Sequence, residues 1–424
     1  MTLSILLGYL FPIAILLVTA LVLSAHSARA NAPALFLIML WIVMFFLHAI
    51  FASNQFFPLY SSSLIANTYV MIGIVTFSFS FALSRTLIGP FLRNSQYTWD
   101  RVPSSADNSR HRNWLDWLCV LYAFLVLVWM RKTATDIIGS NSLIESMQFL
   151  RYQLNYQGMH WGLVKYAGFS VYVLSVFLVT ANKNKSLMKR LPSYAIVALA
   201  ILIAVISTQR TSLFMLLIAL AFATSHSGIP SWRTGLILFA TMMIAFLGVG
   251  LLVGKAGGLD LPFAESIALG FRSILLYLLS PLSALDQSSI WENPRLDGGY
   301  SLRFFLAMSI KLGFTRGELP SLILEFIRVP LPTNVYTFLY APISDFGRLF
   351  FVYFLFVGAL MGAIFSFPRQ SVTSRTLQGF CYYPIATSFF QDQFLTITSQ
   401  WFQIIIYVGV INLLYARLQP QGRR

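Results

Sequence analysis

Long apolar runs, each close to the length of a membrane-crossing helix, constrain this chain more than any other feature. They occupy 3–24, 33–52, 63–84, 114–130, 163–181, 193–208, 211–226, 234–253, 348–367, 377–391 and 400–416. The hydrocarbon core of a bilayer is about 30 Å thick and takes about 20 apolar residues of helix. Backbone N–H and C=O groups in lipid must be satisfied within the chain, which leaves helices or closed barrels. These runs are continuous and do not alternate, so helices are predicted. Charged residues make up 10% of the chain, against about 25% in a soluble domain, which excludes a water-soluble globule. The expected fold is an all-α polytopic membrane protein of about 11 transmembrane helices, within roughly 10–14. The first run, with no basic stretch before it and no small-residue cleavage site, reads as a retained helix. The runs 193–208 and 211–226 are parted only by Gln209-Arg210. Two helices are expected there, because one would reverse the side of every later loop.

That side is set by charge. One set of inter-run loops holds Arg29, Arg85, Arg93, Arg101, Arg110, Arg112, Lys183, Lys185, Lys189, Arg190, Arg233, Arg369, Arg375, Arg417, Arg423 and Arg424, with two acids, Asp100 and Asp107. The other set is nearly charge-balanced. Short loops rich in Lys and Arg stay in the cytoplasm, so the first set faces in and the second faces out. The same bias accounts for most of the net charge of +15. It suits anionic lipid headgroups and requires no nucleic acid.

The chain reads as a single integral membrane domain, 1–424, with two long outer loops. The first, 131–162, is expected to be helical from the recurrence of Ile138, Leu143, Ile144, Met147, Phe149 and Leu150. The second, 254–347, starts on a turn with Gly254, Gly257 and Gly258 and carries an amphipathic stretch over 264–280. Its segments 266–285 and 301–314 are apolar enough to dip into the membrane. It is too aromatic and apolar for disorder. The Arg-rich inner loop 85–113 is expected to be irregular.

No cofactor is expected. His26, His48, His111, His160 and His226 show no ligand spacing, Cys119 and Cys381 lie inside apolar segments, and no phosphate-binding glycine loop occurs. Arginine is the more informative residue. Arg210 sits between two apolar helices with no acid within twenty residues on either side, and Arg272 is the one charge in 266–285. A charge at the hydrocarbon edge is costly unless it is paired or faces a polar cavity. Two readings fit each: snorkelling to the interface, or bidentate contact with a ligand phosphate. Arg151 suits a solvated helix face or a ligand contact, and the tyrosines around it and Trp161 suit either sugar stacking or an interfacial aromatic belt. Asp345, before the 348–367 run, suits a helix N-cap or a general base for an acceptor hydroxyl. Glu265 and His160 are weaker base candidates, and His160 also suits the membrane interface.

Three groups of residues carry a resemblance. They are Gln209-Arg-Thr-Ser212 between mid-chain helices, Arg272 followed by Tyr277, Leu278 and Pro281, and Asn334-x-Tyr336-Thr337 followed by Asp345-x-Gly347. With many helices and a large late outer loop, the chain resembles the O-antigen polymerase family of bacterial inner membranes, the Wzy-type oligosaccharide repeat-unit polymerases, which are related to the O-antigen ligases. Arg151 and Gly162 also match an Arg-x10-Gly spacing of some members. The ligases carry a histidine in the late outer loop, and none lies in 254–347 here, which favours the polymerases.

The resemblance implies a metal-independent glycosyltransferase of GT-C-like architecture, with its active site facing the periplasm. Donor and acceptor would be oligosaccharides on undecaprenyl pyrophosphate, within membrane lipid, and a separate chain-length regulator would be a protein partner. Arg210, Arg272 and Asp345 would be catalytic. Arg151, His160, Tyr277, Asn334, Tyr336, Tyr340 and Arg348 would bind substrate. Two other functions fit the same composition: a ligase moving finished polymer to lipid A core, and a lipid-linked oligosaccharide flippase or transporter.

Overall fold

In the computed structural model, which describes residues 3–52, 59–94, 109–139, 147–157, 159–225, 228–252, 263–321 and 323–417, the described residues are mostly helical. The helices are α1 (Leu3–Ser27), α2 (Ala32–Phe51), α3 (Leu64–Asn94), α4 (Ser109–Ile138), α5 (Met147–Tyr156), α6 (Val164–Asn182), α7 (Leu187–Ile206) and α8 (Arg210–Thr224). After them come α9 (Trp232–Leu252), α10 (Phe263–Asp286) and α11 (Arg303–Lys311). The two-residue strands β1 (Ile327–Arg328) and β2 (Pro332–Thr333) pair antiparallel, and α12 (Tyr340–Phe346), α13 (Phe350–Ser366), α14 (Val372–Ala386) and α15 (Thr398–Arg417) complete the chain. Among the described residues ten helical stretches are long and apolar enough to cross a membrane. The protein is an all-α polytopic membrane protein. Its outward faces agree: Leu7, Leu10, Val18 and Leu21 on α1 and Phe46 on α2 are exposed, a pattern that water would penalise and lipid does not.

The ten differ in detail from the eleven expected runs. Helices α8 and α14 have 15 residues each, about 22 Å at 1.5 Å per residue, shorter than the hydrocarbon core. The outer-loop stretch expected to dip, 266–285, is instead part of one long apolar helix, α10, long enough to cross a membrane. The loop 85–113 is less irregular than expected. Helix α3 continues through Asn94 and α4 begins at Ser109, because 85–94 contains one helix breaker, Pro90, and a proline removes a single ladder bond. Residues 95–108 and the turn at Gly254, Gly257 and Gly258 lie outside the described residues. In the first outer loop, α4 extends through Ile138 and α5 supplies a separate ten-residue helix.

The described contacts group into two compact units. Unit 1 comprises 1–94, 273–367 and 381–400. Its core is the α3–α13 pair. Serines on α3 donate to carbonyls of α13, Ser80 to Leu355 (2.5 Å) and Ser84 to Ala359 (2.7 Å). Gly358 and Gly362, one turn apart, let the backbones meet. A Cβ at either would stand 2.4 Å from the carbonyl oxygen of Phe77 or Phe81. This is how helices associate where lipid removes the hydrophobic drive: small residues allow close van der Waals contact.

The C-terminal half of α10 is fixed in unit 1 by a polar relay. Ser283 donates to the Tyr60 carbonyl (2.6 Å), so His48 Nε2 must donate to Ser283 Oγ (2.8 Å). His48 Nδ1 is then left to accept from the Tyr9 hydroxyl (2.7 Å). A buried histidine in an apolar helix thereby has both ring nitrogens satisfied.

Unit 2 comprises 95–272, 368–380 and 401–424. Its most buried helix is α6, packed against α4, α7 and α8. Asp116 on α4 is fully buried and accepts from Asn182 (2.9 Å) and from the Tyr415 hydroxyl (2.7 Å), with Lys185 at 3.6 Å. One carboxylate thus ties α4, α6 and α15 together.

Candidate functional site

Unit 1 contains a recess that is partly open to the outside. Its lining residues lie in 300–303, 321–324, 336–341 and 391–396, and four neighbouring segments hold them in place. The first is the turn Asp297-Gly-Gly-Tyr300. Asp297 accepts from the Gly299 N–H (2.9 Å) and from Arg295 (2.8 Å), and Gly298 takes a φ of +70°, a conformation glycine adopts without penalty. The turn aims the N–H groups of Tyr300 and Ser301 at Asp345. That carboxylate accepts from Tyr300 (3.2 Å to each oxygen) and from Ser301 (2.5 Å). The second segment begins α11 with Arg303, whose guanidinium donates to the Pro320 carbonyl of the third, 320–324. Just beyond the third, the Glu325 carbonyl accepts from the Tyr336 hydroxyl (2.9 Å). The fourth, 387–397, joins α14 to α15. Its Ser388 accepts from Trp41 (2.9 Å) through the hydroxyl and from the Phe338 N–H (2.9 Å) through the carbonyl.

The walls are chemically mixed. Tyr336 and Tyr340 lie with ring centroids 4.4 Å apart, and Tyr300 meets Tyr340 edge to face at 5.8 Å. Arg303, Gln391, Asp392 and Thr396 add polar groups. Burial pushes the Tyr336 hydroxyl up to about 12 and lowers the Arg303 guanidinium below its usual value. Asp392 is buried. It accepts from the Tyr353 hydroxyl (2.7 Å) and the Phe394 N–H (3.0 Å). Burial raises it to about 7, and those two hydrogen bonds oppose the rise only in part. A carboxyl near 7 can take or give a proton at physiological pH. Aromatic faces beside a guanidinium and a carboxyl are the groups that hold a sugar: rings cover its C–H faces and the polar groups meet its hydroxyls.

Asp392 makes stability depend on pH. Its folded value, about 7, exceeds the unfolded value of about 3.9. Between the two, the folded state binds more protons, so stability is highest below about 4 and falls as pH rises through 7. The wild type should melt at lower temperature at pH 8 than at pH 5, and Asp392→Asn should flatten that difference. An unchanged slope in the variant would remove Asp392 as its source.

The residues expected from the sequence fall into both units. In unit 1, Tyr336 and Tyr340 line the recess, and half-buried Asn334 follows β2. Tyr277 stacks on Phe390 at 5.6 Å, and Arg348 is exposed. Asp345 lies within α12 and does not cap the following α13, whose N-cap position is Leu349. It is buried and holds the 297–301 turn from across the unit. Its oxygens accept from the N–H groups of Tyr300, which lines the recess, and of Ser301. Asp345→Ala should release that turn at a cost of about 3 kcal/mol, the upper range for hydrogen bonds to a charged acceptor. Limited proteolysis should then cut between 295 and 303; an uncut loop would contradict the anchoring role.

In unit 2, Arg210 opens α8 half-buried, its guanidinium 4.0 Å from the centre of the Phe246 ring. Gly250 makes room for it, since a Cβ there would stand 2.8 Å from Arg210 Nη2. This is a cation–π arrangement that fixes the side chain. Arg151 on α5 is half-buried. Arg272 on α10 and His160 after α5 are exposed.

Tyr300, Arg303, Gln391, Asp392 and Thr396 were not singled out by sequence reasoning. The signal for the last group was Gln391-Asp-Gln393, a polar triplet in an otherwise apolar final third.

Comparison with known proteins gives one informative likeness. The chain is 23% identical over 208 residues to a protein of Escherichia coli (strain K12) described as a putative O-antigen polymerase. The match covers 49% of this chain and 50% of that relative, so it spans about half of each. No family model matches the chain. No solved structure matches it.

Proposed function

We propose that this protein joins lipid-linked oligosaccharide repeat units into O-antigen or a related surface polysaccharide, at the periplasmic face of a bacterial inner membrane. The observation that carries the reading is the unit 1 recess. Three tyrosines, a guanidinium and a carboxyl poised near neutrality meet in one cavity of a multi-pass membrane protein. The partial likeness to a putative O-antigen polymerase points the same way.

In this reading the recess takes the acceptor glycan. An acceptor hydroxyl gives its proton to the Asp392 carboxylate as its oxygen bonds to the donor's anomeric carbon. The bond from that carbon to the carrier diphosphate breaks, and the lipid diphosphate leaves with the electron pair. The activated bond is already in the donor, so no nucleotide is consumed. Asp345 is assigned as a positioning residue that holds Tyr300 in the wall. Arg210 and Arg272 are assigned to the diphosphate of the undecaprenyl carrier, which a guanidinium neutralises in bidentate fashion.

Deletion of the gene tests the reading. Loss of a polymerase leaves single repeat units on the cell surface, whereas loss of a ligase leaves long chains on the lipid carrier. Complementation with the wild type should restore a polymer ladder. Arg210→Ala and Arg272→Ala should each reduce it about 10²–10³-fold, as removal of one charge-stabilising donor does. Full-length polymer from both variants would reject the diphosphate assignment.

A further inference from the structure

At the end of α8 opposite Arg210, unit 2 gathers basic side chains that the proposed reaction does not use. Lys183, the residue after α6, donates to the Thr224 carbonyl at the C-terminus of α8. Arg369 donates to the Phe222 and Ser225 carbonyls (2.9 and 3.1 Å) and to Gln378 Oε1 (2.9 Å). The chain turns tightly around it: Gly228 has a φ of +86°, and a Cβ there would lie 3.2 Å from Arg369 Nη1. Arg190, near the start of α7, donates to the Lys185 carbonyl (2.7 Å). Arg375, on the first turn of α14, is half-buried, and its Nε meets no hydrogen-bond partner among the described residues.

Helix capping accounts for part of this cluster. The C-terminus of a helix carries about half a negative charge, and Lys183 and Arg369 meet it through three carbonyls. Four cations exceed that demand by more than about three charges. The nearby acid, Asp116, is engaged with Lys185 at 3.6 Å. The mutual repulsion is felt. Burial, followed by the charges of Arg375, Arg369 and Arg190, lowers the Lys183 ammonium below its ordinary value. Half-buried cations held together in this way call for an anion.

We infer that Lys183, Arg190, Arg369 and Arg375 bind the phosphate of an anionic phospholipid headgroup. The depth of the cluster argues for a lipid over a free ion. Lys183 directly follows α6 and Arg190 sits in the first turn of α7, both helices of spanning length. The cations therefore stand where hydrocarbon gives way to headgroups, the level at which basic side chains meet anionic lipid. The guanidinium groups of Arg190 and Arg375, the two arginines that do not cap α8, supply the planar donor pairs that phosphate oxygens accept.

The test uses the full chain purified in neutral detergent. Native mass spectrometry after exposure to an equimolar mixture of phosphatidylglycerol and phosphatidylcholine should show phosphatidylglycerol retained selectively. Thermal unfolding should shift upward with phosphatidylglycerol and not with phosphatidylcholine. The Arg190→Gln, Arg375→Gln double variant spares the two residues that cap α8. It should melt like the wild type in detergent alone and bind phosphatidylglycerol about thirty-fold more weakly. Equal retention of the two lipids by the wild type would overturn the inference even if the variant failed to fold. So would full lipid dependence in the variant. Inorganic phosphate at the same concentration reproducing the shift would overturn the lipid assignment.

Discussion

Gly358→Leu is expected to leave no folded protein in the membrane fraction, and Gly362→Leu to do the same. At each position the added Cβ alone would stand 2.4 Å from a backbone carbonyl oxygen of α3, Phe77 for the first and Phe81 for the second. A flexible side chain could step aside, but a helix backbone cannot move without breaking its own ladder. Relief therefore requires α3 and α13 to separate. That would also break the Ser80 and Ser84 hydrogen bonds to the Leu355 and Ala359 carbonyls. Overpacking a core costs about 1–3 kcal/mol when side chains absorb it, and here they do not. Gly409 on α15 provides the control, because a Cβ there meets nothing within 4 Å. Gly409→Ala should migrate and melt as the wild type does in fluorescence-detected gel filtration. A Gly358→Leu variant with a wild-type melting temperature would contradict the packing described for unit 1.

The second large effect is expected at Asp392. Asn keeps the shape of the side chain and its hydrogen bond with Tyr353, but it cannot take a proton. If Asp392 is the base, Asp392→Asn should cut polymer synthesis about 10²–10⁴-fold, the usual contribution of general base catalysis, with protein amounts unchanged. The pH profile separates this from a folding defect. Wild-type activity should fall as pH drops below about 7, where the carboxyl is protonated, although the fold is more stable there. Activity and stability thus move in opposite directions for one group, an outcome that simple unfolding does not produce. A variant with undiminished polymer would remove Asp392 from the chemistry.

The membrane-spanning architecture was legible in the sequence because twenty apolar residues in a row leave a helix few alternatives. Segments of intermediate length were less so. Helices α8 and α14 stop at 15 residues, and α10 runs as one long helix where a shallow dip was expected. Their ends depend on caps and partners that a hydropathy pattern does not contain. Gly358-x3-Gly362 is a small-residue spacing readable in the sequence, but its partner helix is not. The recess was harder to foresee, since Tyr300, Tyr336 and Asp392 meet only after about 90 residues of chain fold back. Tyr336 stands out through family likeness, whereas Asp345 suits either a cap or a base in sequence, and nothing local names the Tyr300 and Ser301 N–H groups that it holds. His48 makes the same point. A lone histidine in an apolar run implies a partner, yet nothing local names Tyr9 and Ser283, which lie 39 and 235 residues away.

The most direct measurement is polymer synthesis by the purified protein in vesicles, supplied with one lipid-linked repeat unit and no nucleotide. The account predicts a ladder of products on gels, released lipid diphosphate in proportion to the bonds formed, and neither with Asp392→Asn. Transport of the repeat unit across the vesicle without chain growth, or a ladder unaffected by Asp392→Asn, would contradict it.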